Sequence, residues 1–370
     1  MRRRDFIALI GGGVVLSPSA VAQDQRLGFV GSAPTANDPL VRINSIVVGR
    51  LSDGRLQLFA EKDGELWSTW KQTTDPNAPW TGWSPFLPGN RGLFERATCG
   101  AAAALPNGAL QFFALASSHQ PVSASIGTGV VTTWKLSSDV EAGWADWDVF
   151  YRGTHGPGKS EDARIFAIAA ALRESGLLQV VMLESRAAAS GPASVRLMTR
   201  SKLTSRPDSP WIDPQPLNPQ PPEEVNGLAL SALPDNGLHL WGCGEGTIWS
   251  TKWSGDANSA WEAWSRFQAA PGPAYALAVG PLPNGGLQLW AMVDGGTTYT
   301  CWTSTSDPDG PWTPWVKFFG TELKSLSVAP LTDGRLQLWG LDKSGTLFST
   351  SKLTADDNSG WAPWSVFPGP

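Results

Sequence analysis

The chain has 370 residues, a formal net charge of −5, only 16% charged residues, 40 Gly and 30 Pro. An acidic chain without clustered Lys and Arg excludes nucleic acid as its partner. Three cysteines, Cys99, Cys243 and Cys301, cannot all pair and show no metal-ligand spacing, so no metal and no cofactor is expected and the thiols read as small buried hydrophobes. Frequent turn formers and the lack of a sustained helical apolar period place the chain in the all-β class.

In chain order, residues 1–22 combine a basic start, an apolar run and Ala20-Val21-Ala22 just before Gln23, the pattern of a signal peptide. Arg3-Arg4-Asp5-Phe6-Ile7 resembles the twin-arginine export motif, with ordinary Sec export as the alternative. The expectation is a periplasmic or secreted protein with no membrane insertion once the leader is removed. Residues 23–41 have no clear pattern and run to the first repeat, where they could add an edge strand.

From residue 42 to 370 the chain is one repeating domain. The last repeat, residues 331–367, has a turn at Asp333-Gly334, an alternating strand from Arg335 to Leu341, a second strand from Thr346 to Lys352, and a polar loop ending in Trp361-x-x-Trp364. Its opening recurs as LSDGRLQLF (51–59), LPNGALQFF (105–113), LRESGLLQVV (172–181), LPDNGLHLW (233–241) and LPNGGLQLW (282–290). A run of small apolar residues precedes each opening. A period near 50 residues with four short strands per unit predicts a β-propeller of six four-stranded blades, strands a to d running outwards from the centre.

The c–d loops share a polar spacing: Thr73, Asp75, Asn77, Trp80; Ser137, Asp139, Glu141, Trp144; Ser254, Asp256, Asn258, Trp261; Thr305, Asp307, Asp309, Trp312; and Thr354, Asp356, Asn358, Trp361. The third repeat keeps Thr204, Asp208 and Trp211 but has Arg206 at the Asp position. This resembles the Asp-box of sialidase-like propellers, with Asn, Asp or Glu in place of its glycine. Asn and Asp tolerate left-handed backbone and their side chains cap nearby N–H groups, so the box reads as a device that tightens a hairpin. A ring of calcium sites is the competing reading, and this spacing offers too few oxygens for it.

A second Trp follows the box Trp by three residues at Trp83, Trp147, Trp264, Trp315 and Trp364, and strand c carries Trp67 and Trp249. Together these resemble the repeat of bacterial fucose-binding propeller lectins and tectonins. That resemblance implies sugar sites between adjacent blades against aromatic rings, in propellers that can have seven blades where six repeats are counted here. These seven Trp are therefore candidate sugar contacts, with inter-blade core packing as the alternative for each. Gln57, Gln111, Gln179, Gln288 and Gln337 occupy one register of strand b, with His239 in the fourth repeat. Gln57, Gln288 and Gln337 are taken as candidate sugar contacts, and a bond to the neighbouring blade's backbone is the alternative for a buried amide.

Two enzyme-like signals fall short. Gly153 to Ser160 matches the P-loop pattern, but the apolar segment after it aligns with an inner strand, so no helix N-terminus is there to meet phosphate. Arg42-Ile43-Asn44 lies where sialidases carry Phe-Arg-Ile-Pro, yet with only Tyr151, Tyr275 and Tyr299 no Tyr/Glu pair is assignable from sequence. No catalytic residue is assigned. Four long connections in blades two to four are expected on the face opposite the boxes, bringing His119, Arg152, His155 and Arg164 there as candidate recognition residues.

The sequence thus predicts an exported, non-catalytic propeller with repeated shallow aromatic sites for glycans or a glycosylated surface. A protein-interaction scaffold is the alternative, and a sialidase-like glycoside hydrolase is a third reading. The leader pattern predicts Gln23 as the mature N-terminus; mass spectrometry of exported protein that still begins at Arg2 or Arg3 would contradict it.

Overall fold

The computed structural model describes residues 10–11, 43–86, 88–89, 93–117, 128–152, 163–186, 194–233, 236–244, 246–255, 260–305, 307, 310–318 and 322–370. They form a six-bladed β-propeller of antiparallel sheets, each with its four strands in chain order from the centre outwards. The leader, apart from Ile10–Gly11, and residues 23–41 lie outside the described residues. Ile10–Gly11 pairs with the inner strand of blade three at Ala171 and Ala170.

The inner strands a are Ile43–Arg50, Arg96–Ala104, Ala163–Leu172, Gly227–Ala232, Ala274–Pro281 and Leu323–Pro330. Each touches the next, and the sixth touches the first. Small side chains are required here because neighbouring blades approach closely; a Cβ on Gly100 would lie 2.7 Å from Ile168 Cγ2 and 3.0 Å from the Phe113 carbonyl oxygen. In five blades strand a bulges near its start, one extra residue against strand b, which sharpens the local bend. Among the described residues the ring closes without strand exchange. Blade six packs on blade one through Trp339, Leu341 and Leu347 against Ile46, Val48 and Leu58, and Val48 N–H donates to Ser327 Oγ at 3.0 Å.

The a–b turns need one left-handed residue, supplied by Gly54, Gly108, Gly176, Gly285 and Gly334 and, in blade four, by Asn236 with φ 66°.

One aromatic arrangement recurs around the ring. The box Trp of each blade is held between two side chains of the preceding blade, one from strand b and one from strand d or the residue just after it. Trp144 meets Phe59 at 5.8 Å and Phe86 at 4.8 Å, and Trp211 meets Phe113 at 5.9 Å and Phe150 at 4.7 Å. Trp312 sits likewise between Trp241 and Phe267, Trp361 between Trp290 and Phe318, and Trp80 between Trp339 and Phe367. All ten contacts are edge-to-face, the geometry the ring quadrupoles prefer. Between blades three and four the partners are aliphatic, with Val181 and Leu217 in the cluster that Trp261 joins.

Trp144→Ala removes one such clamp and leaves a cavity between two blades. It should cost about 3–5 kcal/mol of unfolding free energy in denaturant titrations, and a cost below about 1 kcal/mol would contradict the role assigned to the ring.

Candidate functional site

The box loops are Asx and hydroxyl turns. Asp75, Asp139 and Asp356 Oδ1 accept the N–H two residues on, at 2.8, 3.0 and 3.1 Å, while Thr73, Ser137 and Thr354 Oγ accept the Asp N–H at 3.3 Å. Left-handed backbone is not what selects the third position: Asn77, Glu141 and Asn358 are not among the residues with positive φ, which explains why Glu is tolerated there. Asp256, Asn258 and Asp309 lie outside the described residues. Among the described residues no group of His, Cys, Asp and Glu could hold a metal ion.

Beneath these loops lies a feature that the repeat pattern alone did not single out. Lys71, Lys135, Lys202 and Lys352, each two residues before the box Ser or Thr, are buried. Their ammonium groups donate into the box loop: Lys135 Nζ to the Val140 and Ala142 carbonyls at 2.6 and 3.1 Å, Lys352 Nζ to that of Asp357 at 2.8 Å, and Lys202 Nζ to that of Pro207. Each of the first three also sits 5.2–5.6 Å from its own box Trp ring. Burial pushes Lys135, Lys202 and Lys352 down to about 8.

In the bridge to the box Trp, blade four has Trp253, directly before the box Ser254, where these blades have Lys, and a cation comes from across the cleft. Arg173 of blade three takes a place that Leu fills in the other five a–b turns, and its guanidinium lies 4.7 Å from the Trp253 ring. The Lys-to-Trp change in one blade is thus matched by a Leu-to-Arg change in its neighbour.

The strand-b register faces the following blade in every sheet. Gln111, Gln288 and Gln337 Nε2 donate to hydroxyls of strand c in their own blade, Thr132, Thr300 and Ser349, at 2.9, 2.9 and 3.1 Å, and Gln179 bonds Thr199 in the same way. The neighbour's backbone is not the partner, because the strand-c hydroxyl lies diagonally across on the same face. Among the described residues, the amide oxygens of Gln57, Gln111, Gln288 and Gln337 are buried without a hydrogen-bond partner. His239 replaces Gln in blade four, stacked 3.7 Å from Trp241, with neither ring nitrogen partnered among the described residues. Its burial, together with nearby Lys252, holds it well below the ordinary imidazole range.

The candidate Trp side chains fall into different settings. Trp147 is buried among Phe86, Phe94 and Phe112. Three others have their indole N–H taken by chain that crosses the cleft: Trp83 donates to the Pro368 carbonyl at 2.7 Å, Trp264 to that of Pro219 at 2.9 Å, and Trp249 to Glu223 Oε2 at 3.2 Å. Trp67 lies under Lys62 at 5.4 Å, and Trp315 is half-buried with its N–H unpartnered among the described residues. Trp364 differs. It borders a cavity of about 540 Å³ between blades five and six.

This cavity brings together two of the candidates, Gln288 from blade five and Trp364 from blade six. Trp302 and Trp361 join them; neither was a candidate sugar contact on the sequence, and only the fold places them there. Thr300 lies beside Gln288 on the blade-five wall, and Asp357 and Asn358 of the box loop line the blade-six wall. The connection between the two blades is short, residues 319–322, against residues 217–226 between blades three and four, where Pro219 and Glu223 reach over the indoles. Trp302 could have been found as the strand-c residue opposite Gln288 in register. By comparison, the hollow beside Trp147 is about 100 Å³.

On the opposite face, Arg152 ends strand d of blade two, Arg164 lies near the start of strand a in blade three, and both are exposed. Of the four long connections, residues 214–225 are described; His119, His155, Lys159 and most of the other three lie outside the described residues, as does Arg42. A Tyr/Glu pair does occur here, with Tyr151 Oη donating to Glu184 Oε1. Burial, reinforced by that bond, pushes the phenol up. Burial would also raise the Glu184 carboxyl, but donors from Tyr151, Arg196 and Arg186 outweigh it and hold the group below its usual range.

No family model matches the chain, and no curated protein matches it. Solved structures resemble it in fold. A point mutant of the NanB sialidase from Streptococcus pneumoniae superposes with a TM-score of 0.56 at 10% identity, over 97% of this chain and 85% of that one. AofleA from Arthrobotrys oligospora gives 0.55 at 10%, over 89% and 87%. A point mutant of the Aleuria aurantia lectin in complex with α-methyl-L-fucoside gives 0.52 at 10%, over 87% and 94%. At such identity the likeness speaks for the propeller alone.

The cation exchange between blades three and four is testable by a double-mutant cycle. Arg173→Leu and Trp253→Lys should each destabilise the protein, and the double variant, which restores the Lys and Leu arrangement of blades one, two, three and six, should recover about 0.5–3 kcal/mol relative to additivity. Additive losses would contradict the pairing.

Proposed function

We propose that the chain is an exported carbohydrate-binding propeller without catalysis, and that its principal site is the cleft between blades five and six. The observation that carries this reading is the cavity of about 540 Å³ lined by Trp302, Trp361, Trp364 and Gln288, whose buried amide oxygen has no hydrogen-bond partner among the described residues. A cavity of this size suits a mono- or disaccharide. Indole faces match the apolar C–H faces of a pyranose, while its hydroxyl rim needs hydrogen-bond partners such as Asp357, Asn358 and the Gln288 oxygen. The likeness to the Aleuria aurantia lectin, whose structure holds a fucoside, makes α-methyl-L-fucoside the first ligand to try. Export rests on the leader pattern.

The non-catalytic part is supported by the state of the Tyr151–Glu184 pair. A tyrosine nucleophile is activated by a lowered pKa or by an adjacent base that can take the proton. Here the phenol is pushed up and the carboxylate is occupied by two arginines.

Titration of α-methyl-L-fucoside and a wider sugar panel should shift Trp emission with a Kd between about 1 mM and 1 µM, that is, roughly −4 to −8 kcal/mol. Trp364→Ala should weaken binding at least about ten-fold, a loss of about 1.4 kcal/mol, while leaving the fold intact. Flat titrations across the panel would sink the proposal and leave the scaffold reading.

A further inference from the structure

The face opposite the Asp-boxes carries a second constellation, between blades two and three, that the sugar cleft does not use. Glu184, on strand b of blade three, is fully buried. Its Oε1 accepts the Tyr151 hydroxyl from strand d of blade two, and its Oε2 accepts both Arg186 Nε at 3.0 Å and Arg196 Nε at 2.5 Å. The register explains the convergence: Arg196 stands directly opposite Glu184 across the b–c pair, and Arg186 is two residues along on the same face.

The charges in this cluster do not balance. One carboxylate faces two guanidiniums, and the phenol is neutral because burial and its bond to Glu184 keep it protonated. Both cations touch the same oxygen, so they stand side by side and repel each other. Among the described residues no other carboxylate pairs with either. Each arginine commits its Nε inward, and the side chains remain 29% and 30% exposed. A buried carboxylate that fixes two guanidinium planes side by side, with part of each open to solvent, leaves a positively charged fork. Exposed Arg152, next to Tyr151, and Arg164, paired with Ser185 beside Glu184, add positive charge to the same end of the blades.

We propose that Arg186 and Arg196 form an oxyanion-binding site for a sulfate or carboxylate group, with Glu184 and Tyr151 as positioning residues. The second negative charge that the cluster lacks is supplied by the ligand, in bidentate contact with the outer edges of the two arginines. The anion arrives free or carried on a sugar. The site is separate from the blade five–six cleft and stands whether or not that cleft binds sugar.

The full chain is titrated by calorimetry with sodium sulfate, sodium chloride, galactose 6-sulfate and galactose, all at one ionic strength. Saturable millimolar binding of sulfate or of the sulfated sugar is expected, with none for chloride and at least ten-fold weakening in Arg196→Gln. Arg186→Lys, which keeps the charge and loses the planar fork, should weaken binding by less. Trp364→Ala should leave sulfate binding unchanged, which separates this site from the cleft. Equal affinity for sulfate and the sulfated sugar marks a free-anion site, and tighter binding of the sugar marks an anionic glycan as the source. The proposal is overturned if neither anion binds saturably to the wild-type chain, if galactose matches its sulfate, or if a folded Arg196→Gln variant binds as before. The wild-type titration decides the matter even where a variant fails to fold.

Discussion

The ring depends on one repeated contact, the seating of each box Trp between two side chains of the blade before it, edge-to-face on aromatic rings in five clefts and on aliphatic side chains between blades three and four. Four-stranded sheets have no means of closing a circle by themselves, and strand exchange is not used among the described residues. What holds blade to blade is apolar area and ring geometry at these clefts. The Asp-box serves the same contact from the other side. Its carboxylate and hydroxyl caps fix the loop, and the buried lysine ties the loop's carbonyls together below the Trp, so that the indole meets its neighbours at a set angle. Where the cation moves across the cleft to Arg173, a ring moves the other way to Trp253.

The candidate site grows out of this packing. Along strand b, the aromatic that clamps the next blade and the amide two residues before it share a face, as the two-residue period of a strand requires. The aromatic, nearer the middle of the strand, closes the core, and the amide is left at the edge of the cleft with its oxygen unsatisfied. An unpaired buried acceptor costs about 1–3 kcal/mol, and it recurs in four blades, so a partner for it from outside the chain has a physical rationale. In two clefts, six–one and three–four, passing chain takes three indole N–H groups; between blades five and six the short connection is followed by open space beside Gln288.

The fold was legible because the repeat is written several times. Period, turn residues and alternation agreed from copy to copy, and the last repeat's strands fall at Leu336–Asp342 and Leu347–Ser351, within a residue or two of the bounds expected from the pattern. The burial of the cysteines and the inner strand at Ala163–Leu172 also followed from the pattern. The site was harder to see. Twenty Trp compete for attention in this chain, and most serve the clefts; which indole borders open space depends on the length of a connection and on what crosses it. The buried lysines had a signal, Lys-Leu-Ser/Thr at 135–137, 202–204 and 352–354, but a lysine before a polar loop reads as solvated unless its depth is known. Tyr151 and Glu184 lie on different blades, and only the ring brings them together.

The two faces of the ring have different chemistry. Aromatic surface lies in the cleft between blades five and six, and two arginines on one buried carboxylate lie at the opposite face between blades two and three. The most direct measurement of the central claim is a crystal structure of the protein soaked in α-methyl-L-fucoside or whichever panel sugar binds best. The sugar is expected between Trp302 and Trp364, with a hydroxyl directed to Gln288; a sugar bound elsewhere on the ring, with this cleft empty, would contradict the claim.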